Sequence, residues 1–271
     1  TMLLKTYLEE VSLQIQNRKA QFNFGNASVG NLILTGLSFK LGDLQHCIEI
    51  MGGMGDMPKT QKVIPCINTN VSMTIAVELV NGDIISGQNE ISHPSDSPLV
   101  FDKDHVPNLV SPIGSLFYVH PNGEEYHPRA SQDMLNELES SGTIVYSIGS
   151  LWTSLVPVLV LHGVGQKIAK CKRRVLLVNG TLDRETYGMN VVDILKVIVS
   201  SLQYSITGVR RNALEMDLEQ LEIGLEDTVD EVVVLEDGEI PLSKSLAVLP
   251  VKLRKLKGKT FEVDNLKTLF S

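Results

Sequence analysis

Three short segments of the 271-residue chain combine amide, hydroxyl and glycine residues in a way that could bind an anion. They are NASVGN at positions 26–31, SIGSLWTS at positions 147–154 and NGTLDRETYG at positions 179–188. Unpaired backbone N–H groups at a helix start attract anions, most often phosphate, and hydroxyls add donors. Capping and turn chemistry explains each segment alone. Their shared position after predicted strands or at helix starts favours a ligand site, because ligands of parallel α/β sheets bind there.

The residues predicted to bind phosphate or a nucleotide are polar and glycine positions of these segments. They are Asn26, Ser28, Gly30, Asn31, Ser147, Gly149, Ser150, Thr153, Ser154, Asn179, Asp183, Glu185 and Thr186. Asp183 or Glu185 could also hold Mg²⁺, since magnesium sites usually combine one or two carboxylates with substrate phosphates and water. Catalytic residues stay unassigned, because the chain has no GxSxG segment and its histidines have no motif context.

The second segment lies in an uncharged stretch, TIVYSIGSLWTSLVPVLVLHGVGQ, at positions 143–166. Its length alone favours a membrane span, which needs about 20 mostly apolar residues. Hydroxyl and glycine residues interrupt it, however, and Pro157 would remove a hydrogen bond from a continuous helix. We therefore interpret the stretch as a strand buried on both faces, a tight turn at Gly149 and Ser150, and a helix whose start faces a phosphate.

Apolar periodicity and turn residues predict strands that alternate with helices, and hence a largely parallel sheet covered on both faces. The predicted helices cover positions 2–16, 28–51, 131–140, 154–170, 191–202 and 264–270. The predicted strands cover positions 62–67, 73–80, 83–87, 116–120, 143–148, 175–178, 232–235 and 245–251. The second and third of these strands form a hairpin on Asn81-Gly82, and positions 93–112 form a loop.

Composition narrows the class of protein. Hydrophobic residues make up 43% of the chain and charged residues 21%, which is typical of a soluble globular protein, and one α/β domain is the simplest expectation. The net charge of −8 argues against non-specific nucleic-acid binding. Three dispersed cysteines support neither a disulfide framework nor a zinc site, and the N-terminus lacks the features of a secretory signal, so we expect a cytoplasmic protein.

The same three segments resemble the motifs of the 2-phospho-L-lactate transferase (CofD-like) family, which also includes bacterial gluconeogenesis factors. The family forms are a Ser-x-Gly-Asn helix start, matched here from Ser28 to Asn31, and a GPGSLYTSxxP segment, matched from Ser147 onward. Their order and approximate spacing agree across nearly the whole chain. Ser147 and Ile148 replace the usual Gly-Pro, and Trp152 replaces Tyr, a combination more similar to the uncharacterised eukaryotic, chiefly fungal, branch.

This resemblance implies a three-layer, Rossmann-like α/β fold. It also implies one of two activities: transfer of a phospholactyl group from a nucleotide-activated donor to a deazaflavin precursor, or binding of a nucleotide sugar without turnover. The expected ligand is a small phosphorylated molecule or a guanine or uridine nucleotide with Mg²⁺, with neither nucleic acid nor membrane as a partner. A homodimer is one assembly left open. Family members begin with a Gly-rich β-turn-α unit, so we expect residues 1–271 to be a single CofD-like domain without that unit.

Overall fold

The computed structural model describes residues 2–17, 28–67, 69, 71–92, 107–217 and 224–270. The chain divides into two compact units, Thr1–Pro65 and Cys66–Ser271. The first contains helices α1 (Met2–Asn17), α2 (Val29–Leu41) and α3 (Leu44–Met54). The predictions of a strand at 62–67 and of one helix over 28–51 are both wrong.

The helix prediction fails at Gly42 and Asp43. Gly42 ends α2 in the left-handed conformation, with φ of 72°, and the side chain of Asp43 accepts a hydrogen bond from the N–H of His46 to begin α3. The apolar spacing runs through both helices because both contribute to one small cluster of buried residues, Ile33, Leu37 and Cys47. The strand prediction fails beside Pro65, since proline has no N–H to donate to a sheet.

The second unit begins with an antiparallel sheet. Its strands are β1 (Thr74–Leu79), β2 (Ile84–Ser86), β3 (Ile113–Val119) and β4 (Glu125–Tyr126), in the order β2-β1-β3-β4, and α4 (Gln88–Ser92) follows β2. The predicted hairpin is confirmed: β1 pairs with β2, and Gly82 supplies the positive φ of 90° that the turn requires. Most of the predicted loop over 93–112 lies outside the described residues.

A four-stranded parallel sheet follows. Its strands are β5 (Ile144–Tyr146), β6 (Arg174–Leu177), β7 (Glu231–Leu235) and β8 (Lys252–Leu256), and they are adjacent in that order. The two central strands are buried throughout. The outer strands are not: Val145 in β5 is 37% exposed, so the prediction that this strand is buried on both faces is wrong because it lies at an edge.

The strand predicted over 245–251 is also wrong. Residues Lys244–Val248 form a 3-10 turn, and β8 begins only at Lys252. Three of the five residues of β8, Lys252, Arg254 and Lys255, are basic, as an edge strand allows, and this charge hides the strand from a search for apolar runs.

Helices cover both faces of the parallel sheet. They are α5 (Gln132–Ser140), α6 (Val156–Leu159), α7 (Val164–Ala169), α8 (Val191–Thr207) and α9 (Val263–Phe270). In β6, Leu176 packs in the main core with residues of α8, whereas Val175 and Leu177 pack with Leu269 of α9. Strand residues alternate between faces, so the sheet lies between two helical layers, and the α/β three-layer prediction is confirmed.

The uncharged stretch contains several short elements. After β5 it forms a π-helical turn, Leu151–Leu155, then α6, and then a bridge at His162 before α7 begins. The single helix predicted over 154–170 is therefore wrong. The helix α6 does not continue into α7, because Gly163 adopts a φ of 99° and because the backbone of His162 bonds to Pro128 and Ala130 instead. Within the described residues, no helix is long and apolar enough to cross a membrane.

Candidate functional site

The second and third polar segments meet at the carboxyl ends of β5 and β6. These strands are parallel neighbours, with Tyr146 opposite Leu176, so the loops that leave them start side by side. The amide Nδ2 of Asn179 donates a hydrogen bond to the carbonyl oxygen of Gly149, 3.4 Å away, and this bond joins the two loops. The structure therefore brings together two of the three segments that the sequence singled out.

The start of the π-helical turn holds a carboxylate of the protein itself. The N–H groups of Trp152 and Thr153 both donate to Oε2 of Glu185, each over 3.1 Å. The hydroxyls of Thr153 and Ser92 both donate to Oε1 over 2.6 Å. Glu185 is 5% exposed, so its carboxylate is stabilised by these four donors rather than by water. The anion position that the sequence predicted for phosphate contains Glu185 in this structure.

Beside this buried contact lies a group of exposed polar side chains, which we call the edge cluster: Ser147, Ser150, Ser154 and Asn179. Ser147 and Ser154 are exposed, and Ser150 is half-buried. Among the described residues, none forms a hydrogen bond to the hydroxyls of these three serines. They are therefore open to a ligand, whereas the hydroxyl of Thr153 is not.

Gly149 sets the spacing of the edge cluster. A Cβ atom at this position would lie 2.8 Å from the Cβ of Ser154, closer than real side chains approach. The absence of a side chain lets the first turn fold back on the strand end and places Ser154 beside the loop. Glycine here is a packing requirement, because its φ is not in the left-handed region.

Asp183 and Thr186 shape the loop that carries Glu185. The Oδ1 atom of Asp183 accepts hydrogen bonds from the N–H of Glu185 at 3.0 Å, the N–H of Thr186 at 2.9 Å and the hydroxyl of Thr186 at 2.7 Å. Both residues thus have a structural role. Asp183 Oδ2 accepts no hydrogen bond from a described residue, so one oxygen is available to a cation. No group of three or more His, Cys, Asp or Glu side chains that could hold a metal ion occurs in the described part of the chain.

The loop is also tied to the segment around α4. Arg184 donates to the carbonyl oxygen of Ile91 at 3.0 Å and to that of Pro107 at 2.7 Å, and burial lowers the pKa of its guanidinium. Ser92, from the same helix, completes the contact with Glu185. Sequence reasoning missed Ser92, since it is 93 residues from Glu185 and no spacing pattern marks it.

The first polar segment belongs to the other unit. Ser28 caps α2 by accepting a hydrogen bond from the N–H of Asn31 at 3.1 Å, and Gly30 and Asn31 are exposed in the first turn of that helix. The structure gives these residues a capping role. Asn26 lies outside the described residues.

Comparison with known proteins identifies relatives of this chain. It is 30% identical to an uncharacterized protein of Saccharomyces cerevisiae over 83% of this chain and 63% of that protein. It is 22% identical to the gluconeogenesis factor of Bacillus subtilis over 66% of this chain and 50% of that factor. The chain therefore spans less than two thirds of the length of these relatives.

A crystal structure of a UPF0052-family protein from Bacillus halodurans shares the fold, with a TM-score of 0.57 at 22% identity over 93% of this chain and 73% of that one. A family model described as 2-phospho-L-lactate transferase CofD matches residues 8–248, which include all three polar segments. A match over that much of the sequence shows that the chain belongs to the CofD family.

Proposed function

We propose that the edge cluster binds the phosphate groups of a nucleotide-activated ligand, and that the chain transfers a phosphorylated group from this donor. The observation that supports the proposal is the set of three serine hydroxyls without partners among the described residues, placed where the carboxyl ends of β5 and β6 meet. Ligands of parallel α/β sheets bind at this edge, and hydroxyl donors suit phosphate oxygens.

In the proposed reaction, a hydroxyl of the acceptor attacks the phosphorus that joins the transferred group to the nucleotide. A new P–O bond to the acceptor forms, the bond to the nucleoside monophosphate breaks with its electron pair, and the acceptor proton passes to solvent. Hydroxyls of the edge cluster would stabilise the charge that develops on the phosphate oxygens, as preorganised donors do in an oxyanion hole.

Mg²⁺ would accompany the nucleotide in this proposal. The free Oδ2 of Asp183 suits a magnesium site that is completed by substrate phosphates and water. Bound Mg²⁺ supplies charge neutralisation for the phosphates. Asp183→Asn should lower the dependence of nucleotide binding on Mg²⁺, although it also weakens the loop that Asp183 holds.

The test is isothermal titration of the chain with guanine and uridine nucleotides, with and without Mg²⁺. We expect one class to bind, and the double substitution Ser150→Ala/Ser154→Ala to weaken binding by about tenfold or more, since each lost hydrogen bond to a charged group is worth about 1.5–3 kcal/mol. Ser72→Ala is the matched control, because Ser72 is exposed in the loop before β1. Equal affinity in the double variant and the control would contradict the proposal.

The second candidate function is binding of a nucleotide sugar without turnover, as a regulator of carbon metabolism. This second function is favoured by the contacts of the two acidic residues in the loop. Glu185 is buried and accepts four hydrogen bonds, and Asp183 accepts hydrogen bonds that fix the loop. Glu185 is therefore not placed as a free general base, and Asp183 has only Oδ2 left without a partner among the described residues. Mass spectrometry of reactions with a nucleotide-activated phosphorylated donor separates the two functions, because a phosphodiester product would exclude the purely regulatory role.

A further inference from the structure

A cavity that none of the edge-cluster residues line lies in the second unit, between the antiparallel sheet and the segment that follows α8. Its volume is about 280 Å³, and it is lined by the ends of β1 and β3 and by residues of 210–215. At about 30 Å³ per water molecule this space equals roughly nine waters, so it fits a ligand of about nine non-hydrogen atoms. That is smaller than a nucleotide.

The wall of the cavity is built by a rigid hydrogen-bonded network. Arg210 forms ion pairs with Glu78 and Glu125, donates a hydrogen bond from Nη1 to the hydroxyl oxygen of Ser115 at 2.7 Å, and lies 4.3 Å from the centroid of the Phe117 ring. The guanidinium of Arg210 is therefore already paired with two carboxylates of the protein and is not free to pair with a ligand. Its role is to fix the segment that carries the next residues.

The following turn is fixed as well. The side chain of Asn212 caps the turn Ala213–Glu215 by accepting a hydrogen bond from the N–H of Leu214 at 3.1 Å. Asn212 also packs so closely against Gly114 that a Cβ atom there would lie 2.8 Å from its Oδ1. Ala213 is buried. The turn is thus held in place before any ligand arrives, which reduces the entropy cost of binding.

Two charged side chains that line this cavity are not used by the network. Arg211 and Glu215 are both exposed, and neither forms an ion pair or hydrogen bond through its side chain with any described residue, nor do they pair with each other. An anionic ligand would meet the carboxylates of Glu78 and Glu215, and a cationic ligand would meet Arg211. A ligand with one charge of each sign avoids both conflicts.

We propose that this cavity binds a free α-amino acid, with its carboxylate on Arg211 and its ammonium group on Glu215. A guanidinium pairs with a carboxylate through two parallel N–H donors, and an ammonium group has three donors for a carboxylate acceptor. The four charged residues in the lining, Glu78, Arg210, Arg211 and Glu215, carry no net charge together, which matches a zwitterion.

Trp152 provides a readout of this site, and the substitutions described below separate the signal from ligand binding at the edge cluster. It is the only tryptophan of the chain and is 1% exposed. Its indole lines a smaller space of about 10 Å³, which shares Gly114, Ser115, Arg210 and Arg211 with the cavity. The indole Nε1 has no hydrogen-bond partner in the described part of the chain, so occupation of the cavity should change its surroundings and its fluorescence.

The experiment is titration of the chain with the standard amino acids at up to millimolar concentration, followed by tryptophan fluorescence and calorimetry. We expect saturable binding of at least one amino acid. The carboxylic acid without its ammonium group, and the amine without its carboxylate, should each bind about tenfold more weakly or worse, since each lacks a charged contact. Binding of none of the amino acids would overturn the proposal, as would equal binding of either single-charge analogue.

Substitutions locate the binding to this cavity. Arg211→Gln and Glu215→Gln should each weaken binding by about tenfold or more, by the same loss of a charge-assisted contact. Arg129→Gln and Glu262→Gln are matched controls, because both residues are exposed and lie outside the cavity lining. Circular dichroism melting checks that all four variants fold. Unchanged affinity in both cavity variants would overturn the assignment.

Discussion

At the scale of single residues, Glu185 determines what the predicted helix start can do. Its carboxylate accepts two backbone N–H groups and two hydroxyls while 5% exposed. An ionised carboxylate only accepts hydrogen bonds and so suits four donors, whereas a glutamine amide would bring its own N–H donors against them. The charge at position 185 therefore stabilises the fold as well as the site.

We expect Glu185→Gln to lower the free energy of unfolding by about 1–3 kcal/mol, the cost of leaving a buried polar group without its partner. Urea denaturation monitored by circular dichroism measures this difference. Glu262→Gln is the control, since Glu262 is exposed and should change stability by no more than about 0.5 kcal/mol. Equal stability of the two variants would show that the four hydrogen bonds to Glu185 contribute nothing.

The sequence indicated these loop residues but not their contacts. A helix cap normally comes from the residue just before the helix, and the sequence predicted a helix start that faces a phosphate rather than a side chain of the protein itself. The observed partner is Glu185, which lies 33 residues after Trp152 and reaches it only because β5 and β6 are adjacent. Sequence patterns report local geometry, and a contact across two strand ends depends on the order of strands in the sheet.

At the scale of elements, an ion pair between buried Arg174 and half-buried Asp230 joins the start of β6 to the residue before β7. Arg174, 7% exposed, donates to Asp230 from its N–H at 2.6 Å, from Nε at 2.9 Å and from Nη2 at 2.8 Å. Burial raises the pKa of Asp230, but the hydrogen bonds from Arg174 outweigh this effect and hold the pKa below its ordinary value. Breaking such a pair leaves a guanidinium without its partner inside the protein.

This pair predicts a specific dependence of stability on pH. A carboxylate with a lowered pKa in the folded state contributes stability that is complete above its unfolded pKa, about 3.9 for Asp, and that is lost as the pH falls through the folded value. Asp230→Asn should therefore be less stable than the unmodified chain at neutral pH, and the difference should narrow as the pH falls below about 4.

Urea denaturation over a series of pH values tests this prediction. Asp237→Asn serves as the control because Asp237 is exposed in the turn after β7, and its effect should vary little with pH. A stability difference for Asp230→Asn that stays constant from neutral to acid pH would show that the charge of Asp230 does not stabilise the link between the strands.

The sequence predicted strands and helices well where their apolar residues form a continuous run or a regular period, because the element is buried fully or on one face. β6, β7 and α8 have continuous or periodic apolar residues, and each was found within a few positions. The prediction failed where contacts between distant residues, rather than the local spacing of apolar residues, determine the secondary structure. Edge strand β8 carries charges that apolar counting rejects, and the helix after β5 is interrupted because His162 pairs with Pro128 and Ala130 instead.

At the scale of the whole molecule, the two units differ in how much apolar surface they bury. Among the described residues, the cluster of the first unit consists of Ile33, Leu37 and Cys47. In the second unit, α8 alone contributes 13 buried residues among its 17. Buried apolar area is the main source of stability, at about 25 cal/mol per Å².

This difference predicts that the molecule does not open uniformly. Local opening costs little free energy where few apolar contacts are buried, and amide hydrogens there exchange quickly. We expect amides of α2 and α3 to exchange faster than those of β6, β7 and α8, as measured by hydrogen–deuterium exchange with mass spectrometry on the full chain. If α2 and α3 open as a separate cooperative unit, denaturant well below the unfolding midpoint should increase the difference in exchange rate between the two sets of amides. Equal protection of both sets of elements would contradict this prediction.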